Sequence, residues 1–220
     1  MTLVGSAATR TQAGFLLQTG KSLSGQLFLS SECSGVGVAQ GRVAGTSVAI
    51  AVNQTAQTVN LTGSPSSDGS SISGHYSILS SGCGSSDVGT WSATRVKTLQ
   101  GNFQGTFTSG VTGVPVSNFT GSLAQGVNTG STSANLSGTT SSTNSPCFTN
   151  ASISGLISGT SVVLNFVTSE GIALGQFRGA STTDATTVSG TYDFFNAQAQ
   201  PLSCPGGDFG TAVLTVQASM

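Results

Sequence analysis

Few side chains in this 220-residue chain carry the chemistry of catalysis or metal binding. His75 is the single histidine, in the run Ile-Ser-Gly-His-Tyr-Ser-Ile. No Cys or carboxylate stands at ligand spacing from it, so a zinc site is not expected. On an alternating strand with Tyr76 directed inward, His75 points to solvent. A Ser–His–acid hydrolase would hold its nucleophile on a strained turn, and no Gly-x-Ser-x-Gly elbow occurs. Glycosidases need two carboxylates across a cleft, and only Glu32, Asp68, Asp87, Glu170, Asp184, Asp193 and Asp208 are available. Asp68 and Asp184 fall in matching turns, and Asp87 and Asp208 match just ahead of a strand. All four read as turn residues whose side chains cap backbone amides. Gly82-Cys83-Gly84 is a fragment of a phosphate cradle without the helix that would complete it. The residues therefore favour a non-catalytic protein that needs no cofactor and no metal, with a hydrolase as the last reading.

A binding cavity is the better expectation. Trp91, the only tryptophan, stands in Gly89-x-Trp91, which is similar to the Gly-x-Trp of calycin barrels such as lipocalins and avidins. Arg95 follows four residues later on the same strand face, where it could cover the indole ring or meet a ligand acid. Trp91, Arg95 and Tyr76 are the candidate ligand contacts, and core filling is the competing role for Trp91.

Stepping from side chains to composition, charged residues make up 6% of the chain, against about 25% in ordinary soluble domains. Six Lys and Arg against seven Asp and Glu leave a net charge of −1, too little positive charge to hold a phosphate backbone, so nucleic acid is not an expected partner. The longest apolar run, 48–52, is five residues, far from the roughly 18 that a spanning helix requires. Two Tyr and one Trp are too few for the aromatic girdles of an outer-membrane barrel. Ser, Thr, Asn, Gln and 31 Gly carry the polarity instead, the vocabulary of strands with hydroxyl-bearing outer faces and glycine turns.

The sequence repeats itself. VAGTSVAIAV at 43–52 returns as ISGTSVVLNF at 157–166, SISGHYSIL at 71–79 as TVSGTYDFF at 187–195, and DVGTWSA at 87–93 as DFGTAVL at 208–214. The offset grows from 113 to 121 residues, as small loop insertions would produce. Cys33 aligns with Cys147 and Cys83 with Cys204, so the economical pairing is Cys33–Cys83 and Cys147–Cys204, although four cysteines permit three connectivities. An even cysteine count without a CxxC pair fits an oxidising compartment. Residues 1–12 lack the apolar core of an export signal, so the expectation is a secreted or cell-envelope protein whose signal sequence lies outside these residues. Two domains are expected, 1–98 and 99–220.

Each copy reads as eight strands. LQGNFQGTF at 99–107 is the cleanest, with Leu99, Phe103 and Phe107 on one face and Gln100, Asn102 and Gln104 on the other. Strands at about 114–124, 133–141, 149–158, 161–168, 171–180, 187–195 and 208–217 follow. The first copy gives 2–8, 13–19, 23–30, 36–44, 47–53, 57–64, 71–79 and 88–96. Its first strand rests on Leu3-Val4-Gly5 as an echo of Leu99-Gln100-Gly101. The motif apolar-x-Gly recurs in mid-strand, as in Leu61-x-Gly63 and Ile72-x-Gly74, and implies bends or close backbone approach. The expected fold is all-β, a tandem pair of antiparallel up-and-down eight-stranded barrels, calycin-like. Flattened, sandwich-like barrels are the alternative, because a Cys33–Cys83 bond has to cross the barrel mouth.

The run SGHYSILSSGCGSSDVGTWSATRV at 73–96 and its echo at 189–216 resemble uncharacterised envelope proteins and lipoproteins of acidobacteria-type soil bacteria. That resemblance implies a bacterial, exported setting and carries no functional residues. The expected role is a secreted or cell-envelope module that binds a small molecule, glycan or protein partner. A self-associating surface or fibre subunit is the alternative.

Overall fold

The computed structural model describes residues 1–6, 8–30, 33–80, 84–128, 131–145, 147–194 and 207–217. Alternation of apolar and polar residues dictates the local structure: Val48, Ile50 and Val52 are buried while Ser47, Ala49 and Asn53 are exposed, the period-2 burial of a strand with one dry face. The first eight strands are β1 (Thr2–Gly5), β2 (Thr9–Thr19), β3 (Ser22–Ser30), β4 (Gly35–Ala44), β5 (Ser47–Gln54), β6 (Gln57–Pro65), β7 (Ser71–Ser80) and β8 (Asp87–Thr94). They run as an antiparallel meander, and β1 pairs with β8 to close a barrel.

A second set repeats the plan: β9 (Gly101–Ser109), β10 (Ser117–Gln125), β11 (Ala134–Ser142), β12 (Asn150–Ser158), β13 (Ser161–Thr168), β14 (Ala173–Ser181), β15 (Thr187–Phe194) and β16 (Asp208–Gln217). Here β16 pairs with β9. Both sheets are closed, so each copy is an antiparallel up-and-down barrel of eight strands. The chain divides into two compact units, Met1–Arg95 with Asn128–Ser133, and Val96–Val127 with Ala134–Met220.

Turn chemistry is duplicated with the strands. Gly45 and Gly159 have φ of 60° and 57° in the two-residue β4–β5 and β12–β13 links, a left-handed conformation that glycine adopts without steric cost. In the β6–β7 turn, Asp68 accepts hydrogen bonds from the Ser66 hydroxyl at 2.6 Å and the Ser70 amide at 3.0 Å. Asp184 does the same in the β14–β15 turn with the Thr182 hydroxyl at 2.5 Å and the Thr186 amide at 3.2 Å. These two acids are the amide-capping residues the sequence implies.

The mid-strand glycines let backbones cross closely. Gly63 faces Gly74 across β6 and β7, as Gly179 faces Gly190 across β14 and β15. A Cβ on Gly74 would lie 1.9 Å from the Thr62 carbonyl oxygen, well inside contact distance. The two interiors differ in what fills them. The first is aliphatic, built on Leu3, Leu27, Leu29, Val52, Val59 and Leu61 around Trp91. The second holds a ring cluster in which Phe107 stacks on Phe119 at 4.1 Å and meets Tyr192 edge-on at 4.7 Å.

The first strand corrects the sequence reading. Leu3 pairs with Trp91 and Gly5 with Gly89, whereas Phe107 pairs with Ala212 and Ser109 with Gly210. Because DVGTWSA and DFGTAVL correspond, Leu3 matches Phe107, not Leu99, and Gly5 matches Ser109, not Gly101. Pairing with the last strand sets the register, and the short Leu-x-Gly echo does not.

Neither described cysteine, Cys33 or Cys147, is a free thiol. Cys83 and Cys204, the partners the repeat implies, lie outside the described residues.

Candidate functional site

In each barrel one cluster of buried polar residues lies beside the closure of the first and last strands. In the first barrel, Asp87 opens β8 with 5% of its surface exposed. Its Oδ2 accepts from Arg10 Nη1 on β2 at 2.6 Å and from the Tyr76 hydroxyl on β7 at 2.8 Å. Its Oδ1 accepts from the Ser6 hydroxyl at 3.0 Å and the Val88 amide at 2.9 Å. Four donors thus saturate one carboxylate. Burial alone would raise the Asp87 carboxyl, but the hydrogen bonds from Tyr76, Arg10 and Ser6 outweigh it and hold it at about 2. Burial, and then the bond to Asp87, pushes the Tyr76 phenol up.

The second barrel keeps the pair and changes its surroundings. The Tyr192 hydroxyl donates to Asp208 Oδ2 at 2.8 Å, and the Ser109 hydroxyl donates to Oδ1. Burial, followed by that bond, pushes the Tyr192 phenol up. Register places Ser117 at the Arg10 position: Leu3 faces Arg10 as Phe107 faces Ser117. Gly5 leaves room for the larger network, since a Cβ there would fall 2.1 Å from both the Tyr76 hydroxyl and Asp87 Oδ2. Asp87 and Asp208 are therefore buried partners of a tyrosine, and of the two only Asp87 also caps a backbone amide, that of Val88, among the hydrogen bonds of the described residues. The carboxylates are consumed by internal donors, which makes these clusters pins across the barrel seam. The signal for them was present in the sequence, because SGxY and D-x-G-T recur together in both copies.

Of the three candidate ligand contacts, two share the first interior. Trp91 is 3% exposed in the apolar core, and its indole N–H donates to the Thr62 carbonyl at 3.0 Å. Tyr76 is 4% exposed and bound to Asp87. Arg95 lies past the end of β8, exposed, with its backbone amide donating to the Ser70 carbonyl at 2.8 Å. The structure does not bring Arg95 to the other two.

Two open grooves lie on outer faces. One, of about 490 Å³, is lined on β4 to β7 by Arg42, Ser64, Ser73 and His75 with no carboxylate among its lining residues. His75 is exposed on the outward face of β7, as its spacing from Tyr76 implies. The other, of about 520 Å³, crosses β10 to β13 and is lined by Thr120, Thr139, Ser141, Asn150, Ser152 and Ser169, with no charged residue. Across it the Thr120 and Ser141 hydroxyls lie 3.4 Å apart. Sequence reading passed over this groove, because single hydroxyls on separate strands carry no motif.

Among the described residues no cluster of three His, Cys, Asp or Glu side chains could hold a metal ion, and no helix is long and apolar enough to cross a membrane.

No protein-family model matches the chain, and no curated protein matches it.

Proposed function

We propose that this chain is a non-catalytic secreted or cell-envelope β-module that binds a neutral, hydroxyl-rich glycan across β10 to β13. The uncharged groove carries this reading. Its volume of about 520 Å³ is within the range of small-ligand sites, roughly 300–1,000 Å³. Its rim of hydroxyl and amide groups can both donate and accept hydrogen bonds, the requirement for matching sugar hydroxyls. The interiors offer less: each is filled by buried side chains, and each buried carboxylate already has its donors. The low charge of the whole chain and the absence of free thiols among the described residues support an exported setting.

The test is isothermal titration with neutral soluble polysaccharides at two salt concentrations. Saturable binding unaffected by salt is expected, and Ser152→Trp, which fills the groove from an exposed strand position, should weaken it at least tenfold. Salt-sensitive binding, or equal binding by the filled variant, would remove the glycan reading. A self-associating structural subunit is the second reading, favoured by the low charge of the chain and its Ser- and Thr-rich outer strand faces.

A further inference from the structure

The groove on the outer face of the first barrel differs in chemistry from the neutral one across β10 to β13. Register aligns Arg42 on β4, Ala49 on β5, Thr62 on β6 and His75 on β7 in one row across the sheet. Ser64 and Ser73 face each other in the next row, and Ser47 joins them one ladder step beyond the Val48–Gly63 pair. Arg42 and His75 are three strand spacings apart, about 14 Å between their backbones. Between them Ala49 and the backbone of Gly63 and Gly74 leave a floor without bulky side chains, and the groove encloses about 490 Å³.

The polar groups of this groove are unspent. Arg42, Ser47, Ser64, Ser73 and His75 are all exposed. Among the described residues none of their side chains has a hydrogen-bond partner, and the only ion pair is the buried one of Arg10 with Asp87. Asp68, the acid of the adjoining β6–β7 turn, is not a lining residue, and donors from Ser66 and Ser70 hold its Oδ1. A second cation stands near the Arg42 end. Ser22 faces Arg42, and the carbonyl of the neighbouring Lys21 accepts from the Val43 amide at 2.8 Å. Lys21 is exposed, and no carboxylate offsets it among the described residues.

The fold does not require this chemistry. In the second copy the corresponding row reads Leu156, Val163, Arg178 and Thr191, and Ala180 replaces Ser64. The equivalent of Arg42 is therefore an apolar side chain, 48% exposed. Charge divides the same way. Arg10, Lys21, Arg42 and Arg95 fall in the first copy against Lys97 and Arg178 in the second, whereas the acids favour the second. Unpaired cations on one face with no facing carboxylate attract anions.

The kind of anion follows from the spacing. A guanidinium fork pairs a carboxylate through two parallel hydrogen bonds. With one guanidinium in the groove, a densely charged polymer would leave most of its charges unmatched. The serine hydroxyls and the imidazole can donate to and accept from neutral hydroxyls. We propose that β4 to β7 of the first barrel bind a sparsely acidic glycan, with the carboxylate of a uronic-acid sugar on Arg42 and the hydroxyls of neighbouring sugars on the serine rows and His75. This site is independent of the neutral groove on β10 to β13.

The probe is a xylotriose carrying one glucuronic acid, titrated into the full chain by calorimetry. Expected is saturable one-to-one binding that weakens as salt rises. The methyl ester of the probe and plain xylotriose should each bind about tenfold more weakly or worse, the loss of a charge-assisted hydrogen-bonded pair. Arg42→Leu, which installs the residue of the second copy, should cost the same factor, and Arg42→Lys should fall between it and the wild type. Arg178→Leu removes the same charge elsewhere and should leave binding unchanged. Trp91-detected unfolding should be the same in all three variants. If Arg42→Leu does not fold, the methyl ester still decides the matter without altering the protein. Absence of saturation, equal binding of the methyl ester, or equal losses in Arg42→Leu and Arg178→Leu would overturn the proposal.

Discussion

At the scale of single residues, the two barrels place the same tyrosine–aspartate pair in different electrostatic settings. Asp87 has a cation within 2.6 Å, whereas Asp208 has hydroxyl donors only. Removing one partner of a buried ion pair costs about 3–5 kcal/mol, because the other charge is stranded in a poor solvent. Arg10→Ala should therefore destabilise the first barrel by about that much, and Asp87→Asn added to it should recover part of the loss. Urea unfolding followed by Trp91 emission measures this for the first barrel alone, since Trp91 is the only tryptophan. The same probe tests pH. Asp87 ionises at about 2 in the folded barrel against about 3.9 in an unfolded chain. The stabilisation is complete above about pH 4 and lost as pH falls toward 2. The phenol of Tyr76 is shifted the other way, so its contribution is complete below about pH 10 and lost above it. A Trp91 midpoint flat from pH 2 to 5 would contradict the acid branch. A third residue-level contrast is the turn pair Gly69 and Ala185, at φ of 67° and 59°. Left-handed backbone costs a residue with a Cβ roughly 1–2 kcal/mol. Gly69→Ala should lower, and Ala185→Gly raise, the stability of its own barrel by about 1 kcal/mol, read by Trp91 emission for the first and calorimetry for the second.

At the scale of elements, the strands were legible because each is wet on one face and dry on the other. Val162, Leu164 and Phe166 alternate with exposed or half-buried residues in the structure as they alternate in the sequence. Barrel closure was legible through the mid-strand glycines, whose position opposite one another makes them necessary. Gly74→Val should abolish the Trp91 unfolding transition of a folded barrel, since a Cβ would overlap the Thr62 carbonyl; a cooperative wild-type transition would show that the crossing tolerates side chains. The remainder was not legible. Arg10 joins the Tyr76–Asp87 pair from β2, and a contact between strands far apart in sequence leaves no local pattern. The placement of β1 was misread because a three-residue echo is outweighed by the pairing energy of a whole neighbouring strand, which locks Leu3 opposite Trp91. The uncharged groove was invisible for the same reason as the seam: it belongs to the sheet surface, not to any segment.

At the scale of the whole molecule, duplication explains why the differences are informative. Two copies that share turns, glycine crossings and seam pins have kept what the fold requires. Positions where they diverge are free of that requirement, as where Arg10 stands at the place of Ser117 and Leu3 at that of Phe107. A sulfur bridge within each copy would belong with the shared features. Peptide mapping should find Cys33 with Cys83 and Cys147 with Cys204, and reduction should cost each barrel about 2–4 kcal/mol through the freed loop; cross-barrel pairs would refute independent copies.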